Sequence, residues 1–215
     1  MCSNFQPIKR SSNDWVKDHF GIDLPNEEWR PEAYPTYHAP FVFIEDGQVK
    51  CELAQFGLVP MWAPDKKKYG LRTYNARSET VEEKPTYRSA WKGRRFGLIL
   101  MDSFYEPNWE SGKAIRYRIK RSDEQPEAAA CIWERIIDKD TGEIILSFSM
   151  LTINATEHPV MKHFHKPEDE KRSIVILQNN DYQKWLNADQ GIARDLLQLA
   201  PDNYLHSEAS PQLKS

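Results

Sequence analysis

The sequence predicts an α+β fold, a single domain with a curved, largely antiparallel, barrel-like β-sheet core and short peripheral helices. Short apolar runs of strand length recur along the chain, and turn dipeptides such as Asp46-Gly47 separate some of them. Segments with helical spacing are few and short. With 215 residues the chain can bury a sizeable core, and 40% hydrophobic with 28% charged residues is an ordinary globular composition. No internal repeat or low-complexity tract divides it, so residues 1–200 read as one domain and 201–215 as a polar tail.

Taken in order, Ser12-Asn13-Asp14 ahead of Trp15, Val16 and Phe20 predicts a short capped helix over 12–20. Residues 23–40 are Pro-rich and irregular. Phe41–Ile44 and Val49–Phe56 alternate around Asp46-Gly47, a hairpin signal. Strand-like runs follow at Phe96–Met101, Ile115–Ile119, Ala128–Trp133, Ile144–Ile153 and Ser173–Leu177, with a turn at Asp140-Thr141-Gly142. Short helices are expected over 78–83, 86–91, 157–164, 181–187 and 191–199, and the tail from Pro201 reads as loose.

Net charge is −3, which argues against coating long duplex by charge alone, because that needs a basic stripe. A compact site gripping a few nucleotides stays open: basic clusters occur at Lys66-Lys67-Lys68, at Lys92 with Arg94 and Arg95, and at Arg116 with Arg118 and Lys120. Seven Trp, nine Tyr and nine Phe fit either a β-rich core or a base-stacking surface. The three cysteines, at positions 2, 51 and 131, have no metal-type spacing and read as free thiols in a reducing compartment. Residues 1–20 lack an apolar secretory core and no long apolar stretch occurs, so a cytoplasmic protein is expected, nucleoid-associated in a bacterium.

Four segments carry chemistry. A small residue at position 2 permits removal of Met1, which would leave Cys2 with an α-amine and a thiol on one carbon. Such a 1,2-aminothiol traps aldehydes: the amine, with a reference pKa of about 7.7–8.0, forms a Schiff base, and the thiol closes on it to give a thiazolidine. It can equally attack an amide, and an accidental second-position residue is the plain reading. In Tyr74-Asn75-Ala76-Arg77-Ser78-Glu79, Asn75 offers donors and an acceptor and Arg77 a phosphate fork, with helix capping as the competing account. Met101-Asp102-Ser103-Phe104-Tyr105-Glu106 sets carboxylates among aromatics, suited to proton transfer or to a structural ion pair. Finally, His158, His163 and His165 lie within eight residues, but their spacing does not put them on one helical face as a metal site would. One histidine acting as general acid/base is the preferred reading, with no metal and no cofactor.

In this order the segments resemble the SRAP family of SOS-response-associated peptidases, or abasic-site processing proteins. The family pattern of Met-Cys-Gly-Arg, Asn-Ala-Arg-x-Glu, Asp-Gly-Phe-Tyr-Glu-Trp and a late His before an Arg-rich turn is similar to four stretches of this chain. They are Met1-Cys2-Ser3-Asn4, Asn75-Ala76-Arg77-Ser78-Glu79, Asp102-Ser103-Phe104-Tyr105-Glu106-Pro107, and His165 with Lys171-Arg172. Softer matches are Tyr37-His38-Ala39-Pro40, Phe56-Gly57-Leu58-Val59-Pro60 with Trp62, and Cys131-Ile132-Trp133-Glu134. Coverage runs from residue 1 to about 190.

The resemblance implies a DNA-damage response protein that binds abasic sites in single-stranded DNA, or at junctions with duplex, and cross-links to them as a Cys2 thiazolidine. By carry-over, Asn75 orients the amine or the opened sugar, Glu106 shuttles protons and His165 assists ring opening. Arg77 holds phosphate with help from Arg172 and from position 4. Pro40, Met61 and Trp62 supply an apolar wedge or stacking surface. Weak lyase activity, self-processing of Met1 and a monomeric state complete the expectation. Departures are Asn4 for an arginine, Ser3 and Ser103 for glycines, Pro107 and Phe56 for tryptophans, and the lack of Met-Pro after Arg172. The alternatives are an N-terminal-nucleophile amidase or peptidase, and a non-catalytic single-strand-binding module in which Cys2 is incidental.

Overall fold

The computed structural model describes residues 2–211. The strands of its first half are β1 (Phe5–Pro7), β2 (His38–Glu45), β3 (Gln48–Phe56), β4 (Asn75–Arg77) and β5 (Phe96–Asn108). Those of the second half are β6 (Ile115–Arg121), β7 (Glu127–Ile137), β8 (Ile144–Asn154), β9 (Arg172–Ile174), β10 (Ile176–Leu177) and β11 (Leu205–Ala209). The helices are α1 (Asn13–Phe20), α2 (Lys66–Gly70), α3 (Arg88–Lys92), α4 (Tyr182–Leu186) and α5 (Gln190–Leu196). An α+β fold with a mostly antiparallel sheet is thus what the chain adopts.

Five strands close on themselves. The pairing runs β2–β3–β8–β7–β5 and returns from β5 to β2, forming a ring in which only β3 and β8 run parallel. The β2–β3 hairpin turns through Asp46 (φ 53°) and Gly47 (φ 75°), both left-handed, as a two-residue turn matched to strand twist requires. Alternate side chains fill the ring: Phe41, Phe56 and Phe148 stack at 5.0 and 5.4 Å, with Phe43, Trp133 and Met150 completing the packing. The opposite faces of the same strands, among them Val42, Leu98, Leu100 and Ile132, pack beneath α1, α3, α4 and α5. Burial on both faces explains why β5, β7 and β8 read as nearly unbroken apolar runs.

β5 continues well past the ring. Its first half pairs with β2 and β7, its second half with β1 and β6. The changeover falls at Asp102: Gln6 faces Ser103 and Pro7 faces Met101, so Asp102 has no residue opposite it. Such a bulge shifts the facing parity of a strand. Ile99 and Met101 point into the inner core before it, and Phe104 does after it. The motif expected to follow a strand therefore lies inside one.

Three other expectations are corrected. Residues 78–83 form consecutive turns, and in the expected helix 157–164 only Met161–His163 makes a single 3-10 turn. The tail is not loose over its first part, since β11 pairs with β6 from Leu205↔Arg121 to Ala209↔Tyr117 and buries Leu205. Residues 212–215 of that tail, and Met1, lie outside the described residues. No helix of the described chain is long and apolar enough to cross a membrane.

Candidate active site

The N-terminal segment is held along β5. Phe5 is fully buried, edge-on to Phe56 at 5.2 Å, and exchanges backbone hydrogen bonds with Ala33 at 3.2 and 2.8 Å. Two residues on, β1 has ended, so the strand is short but anchored by one large side chain. Anchoring Phe5 fixes Cys2 at one end of the inner core, where it is 1% exposed. Its Sγ–H lies 3.5 Å from the Asn4 carbonyl, which also accepts from Tyr105 N at 2.9 Å. Burial first, and then the charge of Glu106, push the thiol far above its ordinary pKa, so it holds its proton at neutral pH.

Three further segments converge there. Asn75 opens β4, which β8 holds in parallel register through Asn75↔Met150. Its Nδ2 donates to the Cys2 carbonyl at 2.7 Å, while its Oδ1 is buried without a hydrogen-bond partner among the described residues. Glu106, 3% exposed, comes from β5 beyond the bulge. His165 Nε2 lies 3.1 Å from Glu106 Oε2, at ion-pair distance without hydrogen-bond alignment. The His165 backbone is left-handed (φ 66°), a conformation uncommon outside glycine that neighbouring contacts must hold. Here His165 N donates to Pro107 O at 3.0 Å and Lys171 Nζ to His165 O at 3.2 Å. Cys2, Asn75, Glu106 and His165 thus meet from four distant stretches of sequence.

The other two histidines do something else. His158 Nδ1 accepts from Val160 N and Met161 N, both at 3.1 Å, and Nε2 faces the Ala200 carbonyl at 3.1 Å. That pattern needs a neutral ring, in keeping with a pKa lowered by burial. His163 points outward to Glu110 at 2.6 Å. The cluster that invited a metal reading is three rings with three separate partners.

Residues expected to bind DNA divide sharply. Arg77 is half-exposed and paired with Glu170 at 2.7 Å. Arg172, by contrast, is 2% exposed: it forks onto Glu79 at 3.1 and 2.8 Å and reaches Glu170 and the Thr152 carbonyl, each at 2.7 Å. Its guanidinium ties the Asn75-to-Glu79 segment to β8 rather than facing solvent. Met61 and Trp62 are exposed, but Pro40 is buried within β2, opposite Leu53. Asp102 turns away from Glu106 toward Lys9 Nζ at 3.3 Å.

Asn4 is buried and donates to Glu32 Oε2 and the Ala33 carbonyl, both at 3.3 Å. Its Oδ1 accepts from Arg116 Nη2 at 2.8 Å, and Arg116 lies 3.3 Å above the Tyr105 ring and 2.9 Å from Glu32. Arg116 therefore brings a guanidinium from β6 to an open cavity of about 260 Å³ that Ser3, Asn4, Tyr105 and Glu106 also line. Sequence reading noted Arg116 only as one of a basic cluster; cross-strand register (Glu106↔Tyr117, Pro107↔Arg116) is what sets it beside the site.

Comparison with known proteins places the chain among relatives. A curated relative, the abasic site processing protein YoaM of Bacillus subtilis, is 30% identical over 87% of this chain and 79% of its own length. The abasic site processing protein HMCES of Xenopus tropicalis is 26% identical over 67% of this chain and 47% of its own, longer sequence. A solved structure from Bordetella bronchiseptica superposes with a TM-score of 0.88 and 32% identity, covering 98% of this chain and all (100%) of that one. Residues 1–211 match the family described as SOS response associated peptidase (SRAP), and the chain belongs to that family.

Proposed function

We propose that this protein processes abasic sites in single-stranded DNA by capturing them covalently on Cys2 once Met1 has been removed. The observation that carries this reading is the convergence of Cys2, Asn75, Glu106 and His165 at one end of the ring, with Asn75 2.7 Å from the Cys2 carbonyl and His165 3.1 Å from Glu106. That relatives of 26–30% identity are named abasic site processing proteins supports it.

An opened abasic sugar presents an aldehyde at C1′. The free α-amine of Cys2 adds to that carbon, and the resulting carbinolamine, once its hydroxyl is protonated, loses water to give the iminium. The Cys2 Sγ–H, protonated at rest because it is buried beside a negative charge, then gives its proton to Glu106 as sulfur attacks the iminium carbon. One C–N and one C–S bond form, one water leaves and no redox partner is needed. Asn75 fixes the Cys2 carbonyl and keeps its buried Oδ1 free to accept from the ammonium or a sugar hydroxyl. His165, beside Glu106, protonates the ring oxygen as the sugar opens. If the intermediate stops at the iminium, β-elimination can follow, so weak lyase activity is part of this reading.

The test is a denaturing gel of protein lacking Met1, confirmed by mass, with single-stranded DNA holding one abasic site. A heat-stable shifted band that requires the abasic site and disappears in Cys2→Ala is expected. Its absence, or consumption of the Cys2 thiol by a peptide instead of by the DNA, would overturn the reading in favour of an N-terminal-nucleophile amidase.

A further inference from the structure

The arginines around the proposed site are already partnered. Arg77 and Arg172 share Glu170, and Arg116 is held by Glu32. Yet single-stranded DNA must still be gripped through phosphates and bases. Among the described residues, exposed cations without a carboxylate partner lie in a different place, Lys67, Lys68 and Arg72 on the segment between β3 and β4.

That segment folds back tightly: Gly57 has φ 119°, and a Cβ there would run into the Gly70 carbonyl, so two glycine backbones meet where a side chain could not fit. The fold creates two cavities on opposite sides of α2. One, of about 500 Å³, is lined by Asp138, Asp140 and Glu143, with Lys66 paired to Asp138 at 3.3 Å. Its three carboxylates outnumber its two lysines, Lys66 and Lys67, so it suits phosphate less well. The other, of about 480 Å³, is lined by Lys68, Tyr69, Arg72 and Tyr87. Lys68 and Arg72 are exposed, and their charged groups contact no carboxylate among the described residues. The one carboxylate of that lining, Asp65, is used in accepting from Lys68 N at 2.9 Å.

Two aromatic walls complete it. Tyr69 meets the exposed Trp62 edge-on at 5.2 Å. The Tyr87 hydroxyl donates to the Asn75 carbonyl at 2.9 Å, and Asn75 in turn donates to the Cys2 carbonyl at 2.7 Å. Two hydrogen bonds therefore separate this wall from the proposed nucleophile. Cations for phosphate, rings for a base and a volume within the roughly 300–1,000 Å³ of small-molecule sites are the components of a nucleotide pocket.

We propose that the cavity formed by Lys68, Tyr69, Arg72 and Tyr87 is a subsite for a nucleotide flanking the abasic position, its phosphate on Lys68 and Arg72 and its base against Tyr69 and Trp62. This rests on the abasic-site reading above. The strand is held by unpaired charge on one side of the reacting residues, which makes recognition directional.

Fluorescence anisotropy in a Cys2→Ala background reads binding apart from cross-linking. The probes are single-stranded oligonucleotides with a tetrahydrofuran abasic analogue, full length or trimmed on the 5′ or the 3′ side. The double variant Lys68→Ala/Arg72→Ala should bind the full-length probe about tenfold more weakly, with a log–log salt slope shallower by about 1.4, the value for two phosphate contacts on a single strand. Trimming one particular side should cost the parent protein a similar factor and the double variant nothing. Both residues are exposed, so the variant should keep the parent's melting temperature. Unchanged affinity, salt slope and trimming response would overturn the subsite. If Cys2-containing protein forms no cross-link but binding still depends on Lys68 and Arg72, the covalent reading fails and the subsite stands. If the cross-link forms and binding ignores both residues, the reverse holds.

Discussion

Glu106 and Glu127 are both glutamates buried in the sheet, on β5 and β7, which pair with each other. Glu106 has His165 at 3.1 Å and Cys2 close enough for its charge to raise the thiol pKa. Glu127 is fully buried, its carboxylate oxygens accept no hydrogen bond from the described residues, and burial holds its pKa well above the ordinary value. Its charged neighbours, Arg121, Asp102 and Asp123, all come from the adjoining strands and turns. Burial of an acid is therefore not what distinguishes a site here. Glu106 differs because residues from the N-terminus, from β4 and from the loop before β9 are brought to it: the thiol of Cys2, proposed above as the nucleophile, the amide of Asn75 and the imidazole of His165.

The comparison can be broken most directly by swapping the two acids for amides. Glu106→Gln should slow cross-link formation about 100-fold, within the range for removal of a general acid/base, while Glu127→Gln leaves the rate at the parental value. Time courses on denaturing gels measure both; equal rates in the two variants would erase the distinction.

The histidines repeat the contrast at smaller scale. His165→Gln should slow the cross-link by about tenfold or more with little change in urea midpoint. His158→Gln should do the opposite, costing about 1–2 kcal/mol because two backbone N–H groups lose their acceptor. Since the folded pKa of His158 is lowered, the native state takes up the proton less readily than the unfolded chain. Its contribution is thus present above the unfolded pKa of about 6.5 and lost as pH falls through the folded value. The parent should lose stability over that acid window, and His158→Gln should lose less.

A third effect is thermodynamic alone. Glu127 has a raised folded pKa, so the native state prefers it protonated, and stability is lost as pH rises from the ordinary value of 4.5 toward the folded value. Glu127→Gln should therefore gain stability relative to the parent, more at pH 8 than at pH 5, because the amide has no buried charge to form as pH rises. Urea denaturation at the two pH values would show it. A gain independent of pH would mean that Glu127 does not titrate in this range.

Much of this was legible in advance. The hairpin at Asp46-Gly47, the helix ending at Phe20 and the strands of the ring follow from alternation, from left-handed turn residues and from apolar runs, all of which act over a few neighbouring positions. The four proposed catalytic positions could be named from motifs, and the structure brings them together. What escaped has a common cause. The bulge at Asp102, which turns Phe104 inward ahead of Glu106, is decided by where β5 exchanges one set of partners for another. β11 looked like a loose tail because an edge strand on a half-exposed face needs few apolar residues. Arg172 looked like a phosphate ligand and is instead an interior tie, a difference set by Glu79 and Glu170 arriving from elsewhere.

By itself, then, the sequence determined the fold class, the local elements and the kinds of chemistry on offer, since periodicity, turn residues and side-chain type are properties of short stretches. Only the tertiary structure decided which arginines are spent on carboxylates, which cations remain unpaired, and that Arg116 would stand where Asn4 lacks a charge. Those outcomes depend on contacts between residues far apart in sequence, such as Asn4 with Arg116 across 112 positions, and no local pattern encodes them.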